Sequence, residues 1–363
     1  MHGVLALAVA GACAWAVGLP LASAAAATGA CFVCMCLMAA TDACLSKLGP
    51  ESLAQDLARL DALVHTREQQ DGSDMRVMCA YYTATMHVDY QLLQACVGPG
   101  MHSRVSLQHP FGAWNASTVP SMVLGALRLD VTDASARVLE FGSGRGFCSL
   151  YLAALAPRVR FVGIDATPAH VAKAEAAKRQ GRYANASFQL GDGTDLGAYE
   201  HALSGIFAVE ALCHVRAPDK RRQFLQGAAR ALRPGARLVI VDGFRSEYFA
   251  FLHADARRAL EYAEHGFHIE PLATVREWAT DAKDAGLRVV LNQDLTAQVL
   301  PFWRYGWRVA RALMHLAPLW ACFVGSRQRW RHTMGNFVAV ATTAQAMHAG
   351  AAKYTMLVLE HDS

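Results

Sequence analysis

A glycine-rich turn follows an apolar run near the middle of the chain, at residues 138–146, which read Val-Leu-Glu-Phe-Gly-Ser-Gly-Arg-Gly. Glu140 lies near the end of the run, and Gly142, Gly144 and Gly146 follow at alternate positions. Glycine adopts backbone conformations that other residues avoid and lets a ligand approach the backbone closely. We therefore expect a strand that ends in a ligand-binding turn.

Two further acidic residues follow later apolar runs. Asp165 ends the run Phe-Val-Gly-Ile-Asp, and Asp192 stands beside Gly193 just after residues 187–190. Each aspartate alone could be an ordinary turn residue. The carboxyl ends of parallel strands meet at one edge of a sheet, where ligands of such sheets bind. That the glycine turn and both aspartates occur in this order by chance is improbable.

Glu210 and His214 are a further pair of candidate functional residues. They stand four residues apart, after a predicted strand at 205–209. On a helical turn both side chains would share one face. A histidine that is oriented by a carboxylate can accept a proton near neutral pH. The pair is therefore a candidate for acid–base chemistry on a substrate. In the alternative interpretation His214 caps the turn and Glu210 pairs with Arg216.

The glycine turn departs from the dinucleotide-binding fingerprint, because Phe147 stands where that fingerprint requires glycine. Residues 140–146 instead resemble the first motif of the class I methyltransferases that depend on S-adenosylmethionine (SAM). The resemblance implies that SAM is the cofactor and that the turn and its acidic residue hold the methionine end. It also implies that Asp165 accepts the ribose hydroxyls and that residues 191–193 lie beside the adenine amine.

Residues 210–214 are similar to the E-A-x-C-H segment of sterol C-methyltransferases and of tocopherol and phosphoethanolamine methyltransferases. Upstream residues resemble the leader of the same group, with Thr83 and Ser103 as departures from its pattern. Residues 349–359 resemble its closing strand. The substrate-binding residues that the resemblance implies are Tyr81, Tyr82 and His102.

Apolar runs alternate with helical segments after residue 137, which predicts an α/β fold with a doubly wound parallel sheet. The resemblance makes this a Rossmann-like methyltransferase sheet. The apolar runs predict seven strands, and the predicted fold adds a helical cap and an N-terminal membrane segment, which is inferred from the uncharged stretch described below. The predicted strands are 137–141, 159–164, 187–190, 205–209, 237–241, 287–291 and 354–359. The predicted domains are a membrane anchor or targeting segment (1–45), a helical cap (46–130), a SAM-binding core (131–245), a second cap that contains the sixth strand (246–345) and the closing strand (346–363).

No charged residue occurs from Gly3 to Thr41, a stretch longer than the ~20 residues that span a bilayer. We favour one membrane anchor here over a cleaved signal peptide or a short hairpin. Residues 295–359 lack acidic side chains and contain four tryptophans and several arginines. This stretch either lies on a bilayer or forms a lid helix. The expected location is membrane-associated, with the catalytic domain facing the cytosol or another compartment that contains SAM.

Composition excludes several classes of function. The net charge is only +4 and charged residues make up 18% of the chain, whereas a nucleic-acid-binding protein concentrates basic charge on one face. The ten cysteines show no disulfide framework, and reduced thiols are expected. Cys31, Cys34 and Cys36 could bind a metal or carry acyl chains, but they lack a second ligand pair at zinc spacing. No metal is expected.

The sequence thus predicts a SAM-dependent methyltransferase that acts on a lipophilic small molecule, such as a sterol, prenyl compound or quinone-like lipid, with the membrane as a partner. One alternative is N- or O-methylation of a polar metabolite or phospholipid head group. Another is a protein that binds SAM without catalysis. A nicotinamide oxidoreductase is the remaining class.

Overall fold

The computed structural model describes residues 47–64, 78–79, 81–83, 102–106, 115–215, 217–269, 271–315 and 327–361. The chain forms two compact units. The first unit takes the described parts of 1–103, 250–269 and 300–351, and the second takes those of 104–249, 270–299 and 352–363.

The second unit contains a seven-stranded sheet with the order β3-β2-β1-β4-β5-β7-β6. The strands are β1 Arg137–Phe141, β2 Arg160–Asp165, β3 Ala186–Leu190, β4 Leu203–Val209, β5 Leu232–Arg245, β6 Leu287–Asp294 and β7 Ala352–His361. All seven predicted strands are confirmed.

The predicted all-parallel sheet is wrong at one edge, because β7 pairs antiparallel with both β5 and β6. Asp294, the last residue of β6, lies opposite Thr355 near the start of β7. The chain therefore leaves β6 and enters β7 at the same end of these two strands. A parallel strand would have to start at the opposite edge, which needs a crossover.

The helices with described bounds are α1 Pro50–Val64, α2 Thr118–Leu127, α3 Phe147–Leu155, α4 Pro168–Gly181, α5 Pro218–Ala231, α6 Ala254–Gly266, α7 Val275–Asp284, α8 Thr296–His315 and α9 Arg327–His348. Local sequence sets several of their starts. Pro168 and Pro218 occupy first-turn positions, where the missing N–H has no intrahelical partner to lose. Thr274 and Glu277 form a capping box before α7.

The core of the second unit lies on the central strands. The side chains of Leu139, Ile206, Phe207, Leu238 and Val239 are 0% exposed. Strands that are covered on both faces read as continuous apolar runs, which is why the sequence revealed β1, β4 and β5. The carboxyl ends of these strands, where the candidate site residues lie, are therefore anchored in a closely packed core.

The first unit is helical, with α1 and α6 packed against α9. A polar cluster is buried within it. Asp56 is 1% exposed and accepts hydrogen bonds from Trp307 Nε1 at 2.9 Å and from Gln345 Nε2 at 3.1 Å. Arg311 Nε lies 3.1 Å from its other oxygen. Trp307 and Arg311 are therefore buried within this unit.

The membrane-spanning part of the predicted fold is wrong on the following finding. Over the ranges described above, no helix is both long and apolar enough to cross a membrane. Residues 1–45, which were assigned to the anchor and contain the three clustered cysteines, lie outside the described residues. The expected location stays a prediction.

Candidate active site

The glycine loop between β1 and α3 adopts the backbone conformation that the sequence predicted. Gly142, Gly144 and Gly146 have φ angles of 65°, 52° and 80°. A Cβ on Gly142 would lie 2.4 Å from the Cβ of Ala211, and one on Gly146 would lie 2.5 Å from the Phe188 ring. A Cβ on Gly144 would meet no atom within 4 Å. The outer glycines therefore serve packing, whereas Gly144 faces the open side of the loop.

Glu140 lies beneath this loop and is 3% exposed. Its Oε2 accepts hydrogen bonds from the Ser149 backbone N–H at 3.1 Å and from the Ser149 hydroxyl at 2.5 Å. Burial raises the pKa of the Glu140 carboxyl to about 8, although the bonds from Ser149 act in the other direction. The carboxyl therefore takes up a proton far more readily than an exposed glutamate.

Asp165 at the end of β2 connects the second motif to the glycine loop. Its Oδ2 accepts the Gly144 N–H at 2.8 Å, and its Oδ1 accepts the Thr167 N–H at 2.8 Å and lies 3.3 Å from His170 Nδ1. Burial raises the pKa of Asp165, but the bonds and charge from His170, Thr167 and Gly144 outweigh it, and the pKa lies below its usual value. Asp165 is thus a charged acceptor that is fixed beside the loop.

Asp192 is exposed and forms a turn of its own after β3. Its Oδ1 accepts the backbone N–H of Thr194 at 3.0 Å and the Thr194 hydroxyl at 2.8 Å. Gly193 is buried, and a Cβ there would lie 2.5 Å from the Phe141 ring. This segment therefore packs against the residue that immediately precedes the glycine loop.

Glu210 follows β4 and lies beside the loop, because the next residue, Ala211, is the one that Gly142 accommodates. Its φ angle is 50°, a left-handed conformation that is uncommon outside glycine. Its N–H donates to Val241 O at 2.9 Å, and its Oε1 accepts the Tyr354 hydroxyl at 2.8 Å.

His214 lies on a short 3₁₀ turn, Leu212–His214. The expectation of an α-helical turn from Glu210 to His214 is wrong, because Glu210 precedes the turn in a left-handed conformation. The four-residue spacing therefore does not place the Glu210 and His214 side chains on one face of a helix. Arg216, the alternative partner of Glu210, lies outside the described residues. The catalytic roles of Glu210 and His214 stay predictions.

Asp242 in β5 is a site residue that sequence reasoning missed. Its Oδ2 accepts the Cys213 N–H at 3.0 Å and its Oδ1 accepts the Gly243 N–H at 2.7 Å, so it fixes the turn that bears His214. Burial raises the pKa of Asp242 to about 7, and the charge of Glu210 raises it further. Its place after the run 237–241 repeats that of Asp165 after its own run, and this was the available signal.

The predicted substrate-binding residues Tyr81, Tyr82 and His102 all belong to the first unit. Tyr81 is 3% exposed, and its hydroxyl donates to Asn336 Oδ1. Its ring lies 4.5 Å from His268 and 5.1 Å from Tyr82, centroid to centroid. His102 is buried as well. These residues form internal contacts, and their role toward a substrate stays a prediction.

The loop and Asp165 fit the cofactor that the sequence implied. The open side at Gly144 leaves room for a ligand beside the backbone. A carboxylate can accept about four hydrogen bonds, so Asp165 can accept a hydroxyl in addition to its three partners within this unit. Glu140, Gly142, Gly146, Asp192 and Gly193 shape or adjoin the same edge. Their assignment as SAM-binding residues stays a prediction.

Residues 138–235 match a family model described as a methyltransferase domain. The O-methyltransferase resE of Aspergillus sclerotiorum is 27% identical over 180 residues, 48% of this chain and 63% of that protein. A probable tocopherol O-methyltransferase of Oryza sativa subsp. japonica is 25% identical over 215 residues, 53% of this chain and 58% of that protein. The sterol 24-C-methyltransferase erg6 of Aspergillus fumigatus is 26% identical over 156 residues, 42% of this chain and 40% of that protein. The chain covers less than two thirds of each relative.

Two solved structures share the fold. The (4+2)-cyclase SpnF superimposes with a TM-score of 0.59 at 16% identity and covers 78% of this chain and 94% of that one. Phosphoethanolamine N-methyltransferase 2 of Haemonchus contortus has a TM-score of 0.58 at 14% identity, with 79% and 60% covered. The resemblance to the sterol, tocopherol and phosphoethanolamine methyltransferase group is confirmed, as is SAM as its cofactor. Residues 138–235 thus form a class I, SAM-dependent methyltransferase domain.

Proposed function

We propose that the chain transfers a methyl group from SAM to a lipophilic small molecule, such as a sterol, prenyl compound or quinone-like lipid. One observation favours catalysis over binding alone. Ala211 lies against Gly142 of the cofactor loop, which brings the neighbouring Glu210 carboxylate to the edge where an acceptor would meet the cofactor. A protein that only bound SAM would not need the Glu210 carboxylate to be fixed at that position by a hydrogen bond from Tyr354.

The roles of the residues follow from this arrangement. When bound, SAM supplies an electrophilic methyl group. The glycine loop and Asp165 hold the cofactor, and Glu210, with His214 on the turn that Asp242 fixes, faces the acceptor. Most of the acceleration of such a displacement comes from holding the reactants in line. A positioned proton acceptor adds about 10²–10⁴ in rate.

The lipophilic acceptor is supported by the relatives and by composition. Two of them are named for tocopherol and sterol methylation. Hydrophobic residues make up 53% of the chain, and its mean hydropathy is +0.17.

The test is methyl transfer from labelled SAM by the full chain to three acceptors: a prenylated phenol, a sterol and phosphoethanolamine. We expect label in the organic phase. Glu210→Gln and His214→Ala should each lower the rate by about 10²–10⁴ while SAM affinity, measured by calorimetry, stays within about threefold.

Other results would change the assignment. Label in aqueous phosphoethanolamine would favour the polar-head-group alternative. SAM binding without transfer to any acceptor would favour the non-catalytic one. If calorimetric titration showed binding of NAD and no binding of SAM, the protein would not be a methyltransferase.

A further inference from the structure

A hydrogen bond across the sheet connects Tyr354 in β7 with Glu210 after β4. The Tyr354 hydroxyl donates to Glu210 Oε1 at 2.8 Å, and the tyrosine is 2% exposed. β5 lies between β4 and β7 in the sheet, so the tyrosine reaches across a strand to the carboxylate. A buried hydroxyl needs a partner, and here the partner is a residue of the candidate site.

The backbone of Glu210 is held as well. Its left-handed φ of 50° is a conformation that persists in proteins when the surroundings fix it and that is concentrated at functional sites. The Glu210 N–H donates to Val241 O in β5. Glu210 is therefore fixed at both ends, by β5 through its backbone and by β7 through its side chain.

Ionisable groups from two other elements lie near this pair. Asp242 of β5 and Cys148 of α3 interact with Glu210 and Tyr354, and Cys148 also interacts with Glu140 and Arg104. Burial and the neighbouring carboxylates raise the pKa of Tyr354 well above its usual value. The hydroxyl therefore stays protonated and donates a hydrogen bond to Glu210. A donor to a carboxylate favours the charged form.

We propose that Tyr354 is a positioning residue that orients Glu210 to take the proton of a hydroxyl acceptor beside the cofactor loop. The inference rests on the proposed methyl transfer and narrows the acceptor to a phenol or alcohol. The sulfur–methyl bond of SAM would break as the methyl–oxygen bond forms, S-adenosylhomocysteine would leave, and the acceptor oxygen would lose its proton to Glu210. The carboxylate becomes a carboxylic acid and then passes the proton to water.

The first test needs no acceptor. The full chain is prepared with ¹³C-labelled glutamate and aspartate carboxyls, and the Glu210 resonance is assigned with Glu210→Gln. Tyr354→Phe should raise the pKa of Glu210 by about one to two units, because a hydrogen bond to the charged form is lost. Asp242→Asn should lower it, because a neighbouring like charge is removed.

Tyr199→Phe is the matched control. Tyr199 is also buried in the second unit, and its hydroxyl lies 3.3 Å from Gln189 Oε1, so this variant loses a buried hydroxyl away from Glu210. It should leave the titration of Glu210 unchanged. An unchanged titration in Tyr354→Phe would overturn the proposal.

The second test is the pH–rate profile of methyl transfer to the prenylated phenol. In Tyr354→Phe the acidic limb should move to higher pH by the same one to two units, with SAM affinity unchanged. A lower rate without a shifted limb would mean that Tyr354 is merely structural. If the wild type methylates no acceptor, the proposed function fails, while the carboxyl titration still decides whether Tyr354 controls Glu210.

Discussion

At the scale of single residues, position after a strand was enough to find Asp165, but not to find the residues that hold the site carboxylates in place. The aspartate ends an apolar run, and that is a local pattern. His170 and Tyr354 carry no such signal. Tyr354 meets Glu210 from 144 residues away, and only the sheet order brings the two together. Asp242 lies between these cases, because the pattern that would have found it was present but was not applied to the fifth strand.

His170 gives a prediction about cofactor affinity. It is 4% exposed, and its Nδ1 lies 3.3 Å from Asp165 Oδ1. His170→Leu should weaken SAM binding by about tenfold, the cost of about 1.4 kcal/mol for a lost bond to a charged group. His170→Asn, which retains a polar group near Nδ1, should restore most of the affinity. Calorimetry with SAM measures both.

A double-mutant cycle separates this role from a general loss of stability. Asp165→Asn should itself weaken SAM binding by about 2–4 kcal/mol, because charge-assisted bonds to the ribose would be lost. In that background His170→Leu should have little further effect, since coupled residues are not additive. Lys173→Leu, an exposed change on the same helix, is the control. A full tenfold loss in the Asp165→Asn background would exclude a role through Asp165.

At the scale of elements, the sequence predicted the central strands because each of them is largely an apolar run. Two features were beyond it. β5 extends from Leu232 to Arg245, past the apolar run at both ends, because pairing with β4 and β7 continues there. The direction of β7 depends on where the chain re-enters the sheet, and residue alternation is the same in both directions.

The glycine loop gives a prediction that separates packing from binding. Gly142→Ala would force a left-handed alanine and a Cβ 2.4 Å from that of Ala211. It should lower the free energy of unfolding by about 2–5 kcal/mol, from strain of about 1–2 kcal/mol and overpacking of about 1–3 kcal/mol. Gly144→Ala meets open space and should cost only the strain, yet it should weaken SAM binding more than tenfold.

Urea unfolding and calorimetry on the two variants measure these quantities. Equal stability losses would mean that Ala211 yields without cost. Unchanged SAM affinity in Gly144→Ala would place the cofactor away from the open side of the loop.

At the scale of the whole molecule, the chain passes twice from the sheet unit into the helical unit and back. Local patterns predicted a helical cap over residues 46–130, but not which segments share a unit. The buried Asp56 illustrates why. Its partners Trp307 and Gln345 are 251 and 289 residues away, and a single aspartate on an amphipathic helix gives no sign of them.

Two buried carboxyls predict how the stability of the protein depends on pH. The pKa of Glu140 rises from 4.5 to about 8, and that of Asp242 rises from 3.8 to about 7, both chiefly by burial. The native state therefore binds more protons than the unfolded state across this window. A raised carboxyl pKa stabilises the fold fully below the unfolded value, and this stabilisation is lost as the pH rises through the folded value. Asp165 acts in the opposite direction. Because its pKa is lowered in the folded protein, it stabilises the fold above its unfolded pKa, and this stabilisation is lost as the pH falls through the folded value.

The thermal midpoint of the protein without cofactor should consequently fall as the pH is raised from about 5 to about 8. Glu140→Gln keeps a neutral, hydrogen-bonding side chain beside Ser149 and should flatten this dependence, because the group that must lose its proton is gone. Glu175→Gln removes a half-buried carboxyl on α4 and is the control that should keep the slope. Scanning calorimetry across the pH range measures all three proteins. A midpoint that rises over this range, or an unchanged slope in Glu140→Gln, would mean that Glu140 is ionised in the folded protein.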